Sequence, residues 1–86
     1  MKIYVFTNNY VWDTTDTNLD VRAFKTKEEA LSMLKYCAED ETTAYLENFN
    51  SEDVAIDENE DSFEIYLKGR YCEYHTTLNI HELDIL

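Results

Sequence analysis

Cys72 and His75 stand three residues apart, and a thiol beside an imidazole could bind zinc or act as a nucleophile with its base. A structural zinc site needs four ligands in paired spacings, and Cys37 and His81 are the remaining Cys and His residues. A nucleophilic site needs a third group that orients the base and a glycine-rich oxyanion site, whereas the chain has one Gly. We therefore predict no metal, no cofactor and no catalysis, with Cys37 in the core.

The segment Asp57-x-Asn59-x-Asp61 has the spacing with which calcium-binding loops begin. Such a loop continues with Gly at its sixth position and Glu at its twelfth, where this sequence has Ser62 and Lys68. The pattern therefore predicts a solvated acidic turn, with a weak cation site on the clustered carboxylates as the alternative.

Negative charge is the strongest signal of the sequence. The chain has 19 acidic residues against 7 Lys and Arg, which gives a formal net charge of -12 in 86 residues. Eleven of the acids fall in one stretch that has no Lys or Arg: Glu39, Asp40, Glu41, Glu47, Glu52, Asp53, Asp57, Glu58, Glu60, Asp61 and Glu64. Such a chain repels nucleic acid and anionic membranes, and it attracts basic protein surfaces.

Tyr66, Tyr71 and Tyr74 lie close to Arg70 in the sequence, and Tyr and Arg are enriched in the energetic centres of protein interfaces. This group is a candidate partner-binding patch. Because Tyr is also common in strands, packing in the core and at the edge of a small sheet is the alternative that we favour.

The elements that would position these residues begin with a hairpin and a helix. Residues 2–12 and 19–25 have strand patterns and flank a polar turn. Thr26-Lys27-Glu28-Glu29 is a capping box, in which Thr26 accepts from the Glu29 amide and Glu29 reaches back to the Thr26 amide. An apolar stripe at helical spacing then predicts a helix over residues 27–38. The pattern leaves open whether residues 42–50 are helical, because Thr42 and Thr43 are weak helix formers.

Strand patterns return in the second half of the chain. A short strand is predicted over residues 53–57, an amphipathic strand over 63–68 and a last strand over 75–85. Gly69 is predicted to take a positive φ, which Gly adopts without steric cost. The apolar phase of the last strand shifts midway, which predicts a β-bulge near His81.

The element order predicts an α+β fold with a four- to five-stranded antiparallel sheet and one helix packed on one face, in β-β-α-β-β order. The length and the absence of Pro predict a single domain over residues 1–86. The first apolar run stops at Thr7, which is too short for a signal peptide or a membrane helix. With two Cys residues, we expect a cytoplasmic protein with free thiols.

Several segments also carry a family resemblance. The stretch Asp61-Ser62-Phe63-Glu64-Ile65-Tyr66, followed by Gly69, Tyr71 and His75, resembles a pattern in short acidic proteins of gut bacteria and their phages or mobile elements. The opening Met1–Val5 and the helix start at Ala30 are similar too. The resemblance implies an α+β fold and a mobile-element setting, and it brings no activity. In size and acidity the chain is also similar to phage anti-defence proteins, many of which bind basic nucleic-acid-handling proteins.

These observations favour a non-enzymatic module whose acidic face, centred on Glu39–Glu41 and Asp57–Asp61, docks on a basic partner surface that normally binds nucleic acid. We expect no direct contact with nucleic acid or membrane. The alternative is a homo-oligomeric structural module, for example a homodimer, that pairs through an aromatic sheet face and uses its acids for solubility.

The charge imbalance makes a prediction about stability. Because like charges repel in the folded state, the melting temperature should rise between low and moderate salt, where screening weakens the repulsion. Thermal unfolding followed by circular dichroism at the two ionic strengths measures this, and an unchanged melting temperature would contradict it.

Overall fold

A computed structural model describes residues 1–85 and contains one helix and five strands. The strands are β1 (Lys2–Trp12), β2 (Asp16–Phe24), β3 (Val54–Glu58), β4 (Ser62–Leu67) and β5 (Tyr74–Asp84). The helix α1 (Lys27–Asn48) follows β2, and a short 3-10 turn (Ser51–Asp53) precedes β3. The prediction of an α+β fold is confirmed at this level.

The five strands form one antiparallel sheet in the order β2-β1-β5-β4-β3. The predicted β-β-α-β-β order is therefore wrong in detail, because three strands follow the helix and the last of them lies at the centre. β5 pairs with β1 on one side and with β4 on the other, so the first and last strands of the chain are neighbours in the sheet. β2 and β3 are left as the two edges of the sheet.

The helix packs against one face of the sheet, and that face holds most of the aromatic side chains. Alternate residues of β1 face the helix, and they include Tyr4, Phe6, Tyr10 and Trp12. Each of these four lies opposite a β5 residue whose side chain is on the same face of the sheet. The largest fully buried core side chains are Tyr45 from the helix and Phe6, Ile65 and Leu78 from the sheet. Burial of these side chains is the main source of the stability of a domain this small.

The helix begins as predicted and ends ten residues later than the predicted boundary at Ala38. The Thr26 hydroxyl oxygen accepts from the Glu29 amide at 3.2 Å, which confirms the cap. The Glu29 carboxylate accepts from the Thr26 hydroxyl at 2.9 Å, where the sequence predicted a bond to the Thr26 amide. Thr42 and Thr43 stay helical, and their hydroxyls donate to the carbonyls four residues earlier at 2.7 and 2.9 Å.

Tyr45 explains why the helix continues past the two threonines. Its side chain is fully buried, and its ring packs edge-on against Trp12 with centroids 5.3 Å apart. Phe49, at the helix C-terminus, contacts Tyr74 at 4.9 Å. Tertiary packing of these rings outweighs the weak local helix propensity.

The structure agrees with the sequence-based prediction at Gly69 and differs from it at the β1–β2 turn and in the last strand. Gly69 has φ 78, as predicted. The hairpin turn is shorter than predicted, because β2 already begins at Asp16, and it holds Asp13 at φ 55 and Thr14 at φ 58. The predicted bulge near His81 is wrong, since β1 and β5 keep one regular register from Trp12↔Tyr74 to Lys2↔Asp84. The apolar phase shifts because the end of β5 is exposed on both faces.

The helix cap can be tested directly. Thr26→Ala removes the acceptor for the Glu29 amide and should lower the free energy of unfolding by about 1 kcal/mol. Thr26→Ser keeps the hydroxyl and should stay close to the original protein. Urea denaturation of the three proteins measures the difference, and equal stability of the Ala and Ser variants would contradict the role of the cap.

Candidate protein-binding site

A groove lies between the helix and the edge strand β3. The helix packs across β5, β1, β4 and β2, and β3 lies beyond it. The groove has a volume of about 920 Å³. Its apolar floor is formed by Leu31, Leu34, Ala38, Ile56 and Phe63. Its charged rim is formed by Lys35, Glu39, Glu58 and Glu60.

The outer edge of β3 adds free backbone groups to this groove. The Lys68 amide donates to the Asp53 carbonyl at 2.8 Å, and the Asn59 amide donates to the Ser62 carbonyl at 2.9 Å. In an antiparallel ladder, hydrogen-bonded residues alternate with residues whose backbone groups point away from the partner strand. The backbone amides and carbonyls of Ile56 and Glu58 therefore point outward, and no other strand of residues 1–85 pairs with them.

The structure brings together only part of the predicted acidic face. Glu39, Glu58 and Glu60 meet at the groove. Asp40 is exposed on the helix nearby. Asp57 lies on the opposite face of the sheet, where it pairs with Glu64 across the β3–β4 ladder. Asp61 shares the tip of the β3–β4 hairpin with Glu60.

The chain's own bases neutralise little of the acidic stretch. Lys27 Nζ lies 3.6 Å from both Glu60 Oε1 and Asp61 Oδ1, and these two charges raise the pKa of the lysine. These are exposed contacts, and such pairs contribute little to stability. Within residues 1–85, Glu39, Asp40 and Glu58 have no Lys or Arg nitrogen within 4.0 Å. The groove therefore keeps a negative rim.

Glu41 belongs to the core side of the helix. Its Oε2 accepts from the hydroxyl of Thr76 at 3.2 Å, and Thr76 is itself buried on the helix-facing side of β5. Burial raises the pKa of the Glu41 carboxyl above its usual value. One turn further on, burial raises the pKa of Tyr45 to about 12. Glu41 therefore points toward the sheet and does not belong to the predicted docking face.

The predicted aromatic patch divides between two places. Tyr74 is buried in the ring cluster under the helix and packs edge-on against Trp12 at 5.1 Å. Arg70 forms an ion pair with Glu73, and its guanidinium lies 5.0 Å from the centre of the Tyr74 ring. Tyr66 and Tyr71 lie elsewhere, with ring centroids 5.1 Å apart.

Tyr66 and Tyr71 belong to a polar network on the sheet face opposite the helix, which the sequence did not predict. His75 Nε2 lies 2.8 Å from Glu64 Oε2 and 2.9 Å from the hydroxyl of Thr77. The Tyr71 hydroxyl donates to the same Glu64 oxygen at 3.3 Å, and its ring centroid lies 4.0 Å from that of His75. Strand alternation could have placed these side chains on one face, but only the β4–β5 register brings Glu64 to His75.

The residues first considered for chemistry do not converge. Cys37 is half-buried on the helix beside Met33, and Cys72 is exposed; both are free thiols. In the acidic turn that includes Asp57 and Asp61, the side-chain nitrogen of Asn59 donates to the Ser62 hydroxyl at 3.2 Å. Across the described part of the chain, no three His, Cys, Asp or Glu side chains are arranged to hold a metal ion.

Comparison with protein-family models, with curated protein sequences and with solved structures finds no match to this chain. In residues 1–85 no helix combines the length and the apolar character needed to cross a bilayer. The groove and its charges are therefore the features of this chain that bear on its function.

The buried position of Glu41 predicts a pH effect. A raised pKa in the folded state means that folding loses stability as pH rises from the unfolded pKa through the folded pKa. Glu41→Gln should therefore be more stable than the original protein at neutral pH, and the advantage should shrink at about pH 4, near the ordinary pKa of Glu.

Urea denaturation at both pH values measures this difference. Glu47→Gln, an exposed change on the same helix, controls for the general relief of negative charge. If both variants gain equally at neutral pH, burial of Glu41 is not the cause.

Proposed function

We propose that this chain is a non-enzymatic binding module that holds an extended, basic and partly apolar segment of a partner protein in the groove beside β3. The observation that carries the proposal is the combination of an apolar floor, a rim with Glu39, Glu58 and Glu60, and a free strand edge at Ile56 and Glu58. Strand addition to an exposed sheet edge is a common mode of peptide recognition.

The geometry defines what the partner segment would contain. A strand added to β3 would bond to the outward backbone groups, and alternate side chains would face the groove floor near Ile56. The remaining side chains would lie on the other sheet face, beside Asp57. On the groove side, apolar residues suit the positions over the floor, and Lys or Arg suit the positions beside the rim carboxylates of Glu39, Glu58 and Glu60. A surface that only imitates the charges of DNA needs no apolar floor. The apolar floor therefore favours binding of a peptide segment in the groove over docking through a broad acidic face.

The nature of the partner extends the same proposal. Basic segments with interspersed apolar residues occur on proteins that handle nucleic acid, and an acidic groove would compete with nucleic acid for them. An inhibitor of such a protein, acting in the cytoplasm in a phage or mobile-element setting, fits the charge of the chain.

A defined probe tests the groove. A short peptide with the repeat Leu-Thr-Lys-Thr, which places Leu and Lys on one face of a strand, should bind in low salt and weaken as salt rises. The triple variant Glu39→Gln, Glu58→Gln, Glu60→Gln should bind it about tenfold more weakly, since each exposed charge pair contributes a few tenths of a kcal/mol to about 1 kcal/mol. Isothermal titration calorimetry measures the affinities.

Two controls make this test specific. The triple variant Asp13→Asn, Asp16→Asn, Asp84→Asn changes the net charge by the same amount on exposed residues outside the groove, and it should bind almost normally. Two peptides, each N-methylated on a different set of alternate amides, should differ in affinity, because only one set of amides would face β3 and donate to it. Equal loss in both triple variants would show diffuse attraction, and equal binding of the two methylated peptides would exclude strand addition.

The partner class needs a separate experiment. The original protein and the groove triple variant are compared as baits in a bacterial lysate at low and high salt, with identification of the bound proteins. We expect a basic nucleic-acid-handling protein on the original bait alone, released by salt and by added DNA. Identical captures on both baits would contradict the proposed role of the groove.

A further inference from the structure

Within residues 1–85, no strand pairs with the outer side of β2, the second edge of the sheet. The Ile85 amide donates to the Met1 carbonyl at 2.6 Å. Because hydrogen-bonded pairs alternate along the regular β1–β5 ladder, the odd-numbered residues of β1 are the ones whose backbone groups bond to β5. The even residues of β1 therefore bond to β2, through Asn18, Asp20, Arg22 and their even-numbered neighbours. The backbone amides and carbonyls of the odd residues point outward: Thr17, Leu19, Val21 and Ala23.

This edge carries three charged side chains, Asp16, Asp20 and Arg22, but it lacks the other devices that usually prevent pairing between sheet edges. Proteins commonly protect such an edge with Pro, Lys, a bulge or a very short strand. β2 has nine residues, no Pro and no Lys, and its register with β1 is regular. Leu19 and Val21 are 61% and 56% exposed, and both lie on the sheet face that the helix leaves uncovered.

We propose that β2 pairs antiparallel with β2 of a second copy of this chain, joining two sheets into one of ten strands about a two-fold axis. Two-fold symmetry requires the register to be self-complementary. Centring the axis on Val21 places Asp20 opposite Arg22 of the partner subunit, and Arg22 opposite Asp20 of the partner subunit. Centring it on Asp20 would oppose two carboxylates. Centring it on Leu19 would oppose Asp16 and Arg22 farther from the axis, so we propose the Val21 register, in which the opposite charges lie next to the axis.

The distribution of charge allows two acidic chains to meet at this edge. Residues 1–25, which include both β1 and β2, contain three acids and three bases: Asp13, Asp16, Asp20, Lys2, Arg22 and Lys25. The excess of acid lies in the rest of the chain, on the helix and toward β3, at the other edge of the sheet. Screening of the remaining repulsion should strengthen the dimer, whereas the same salt weakens the groove interaction.

Charge reversal tests both the interface and its register. Asp20→Arg and Arg22→Asp should each be at least about tenfold weaker in self-association, because like charges then face each other across the two-fold axis. An equimolar mixture should recover dimers, since the two variants complement each other. Analytical ultracentrifugation over a range of protein concentrations gives the dissociation constants, and circular dichroism shows that each variant is folded.

Two further variants complete the experiment. Val21→Lys should abolish dimers, and Tyr36→Lys, which makes the same change of charge at an exposed helix position, should leave them intact. The proposal is overturned if the original protein is monomeric at all concentrations, or if its dimer survives Val21→Lys. A mixture of the two charge reversals that stays monomeric would overturn the register. Peptide binding in the groove is measured on different residues, so either idea can fail alone.

Discussion

The structure depends on the packing of four aromatic rings, Trp12, Tyr45, Phe49 and Tyr74, where the end of the helix meets the first and last strands. Trp12 and Tyr74 are paired neighbours on β1 and β5, so the cluster joins the two central strands to the helix. A single helix held in this way contacts four of the five strands on one face of the sheet. It does not pair with the outer backbone groups of the edge strands β2 and β3, where both proposed interaction surfaces lie.

The two open edges differ in charge. Residues 1–25, which include the β1–β2 hairpin, have equal numbers of acids and bases, whereas the second half of the helix and the β3–β4 hairpin carry nine acids and no Lys or Arg. Most of these carboxylates sit on exposed positions, where solvation makes their charge tolerable. Glu41 and Glu64 are the exceptions, and the hydrogen bond of Glu41 to Thr76 offsets part of the cost of burial. The fold thus separates an acidic edge, suited to basic partners, from a neutral edge suited to self-pairing.

Local signals in the sequence predicted much of the fold. The capping box at Thr26, the positive φ of Gly69 and the alternation at Phe63 and Ile65 each depend on neighbouring residues alone. The end of the helix could not be predicted, because Tyr45 is held by contacts with distant strands. The shift of apolar phase near His81 does not mark a bulge, because the end of β5 is exposed on both faces and its apolar residues are not buried.

The candidate site was less accessible to sequence reasoning. Acid clustering indicated the groove residues Glu39, Glu58 and Glu60, but it also selected the inward-facing Glu41 and the opposite-facing Asp57. Side-chain direction on a helix or strand depends on what each element packs against. The position of β5 between β1 and β4 decides which strands become edges, and no local pattern contains that information.

The most direct test of this account is residue-resolved amide hydrogen exchange by NMR on dilute protein, where self-association is minimal. The account predicts alternation along both edge strands: fast exchange at Leu19, Val21, Ile56 and Glu58, and slow exchange at Asp20, Arg22, Ala55 and Asp57. Uniform protection along β2 or β3 under these conditions would show that the edge is covered, and it would contradict the claim that one helix leaves two free edges.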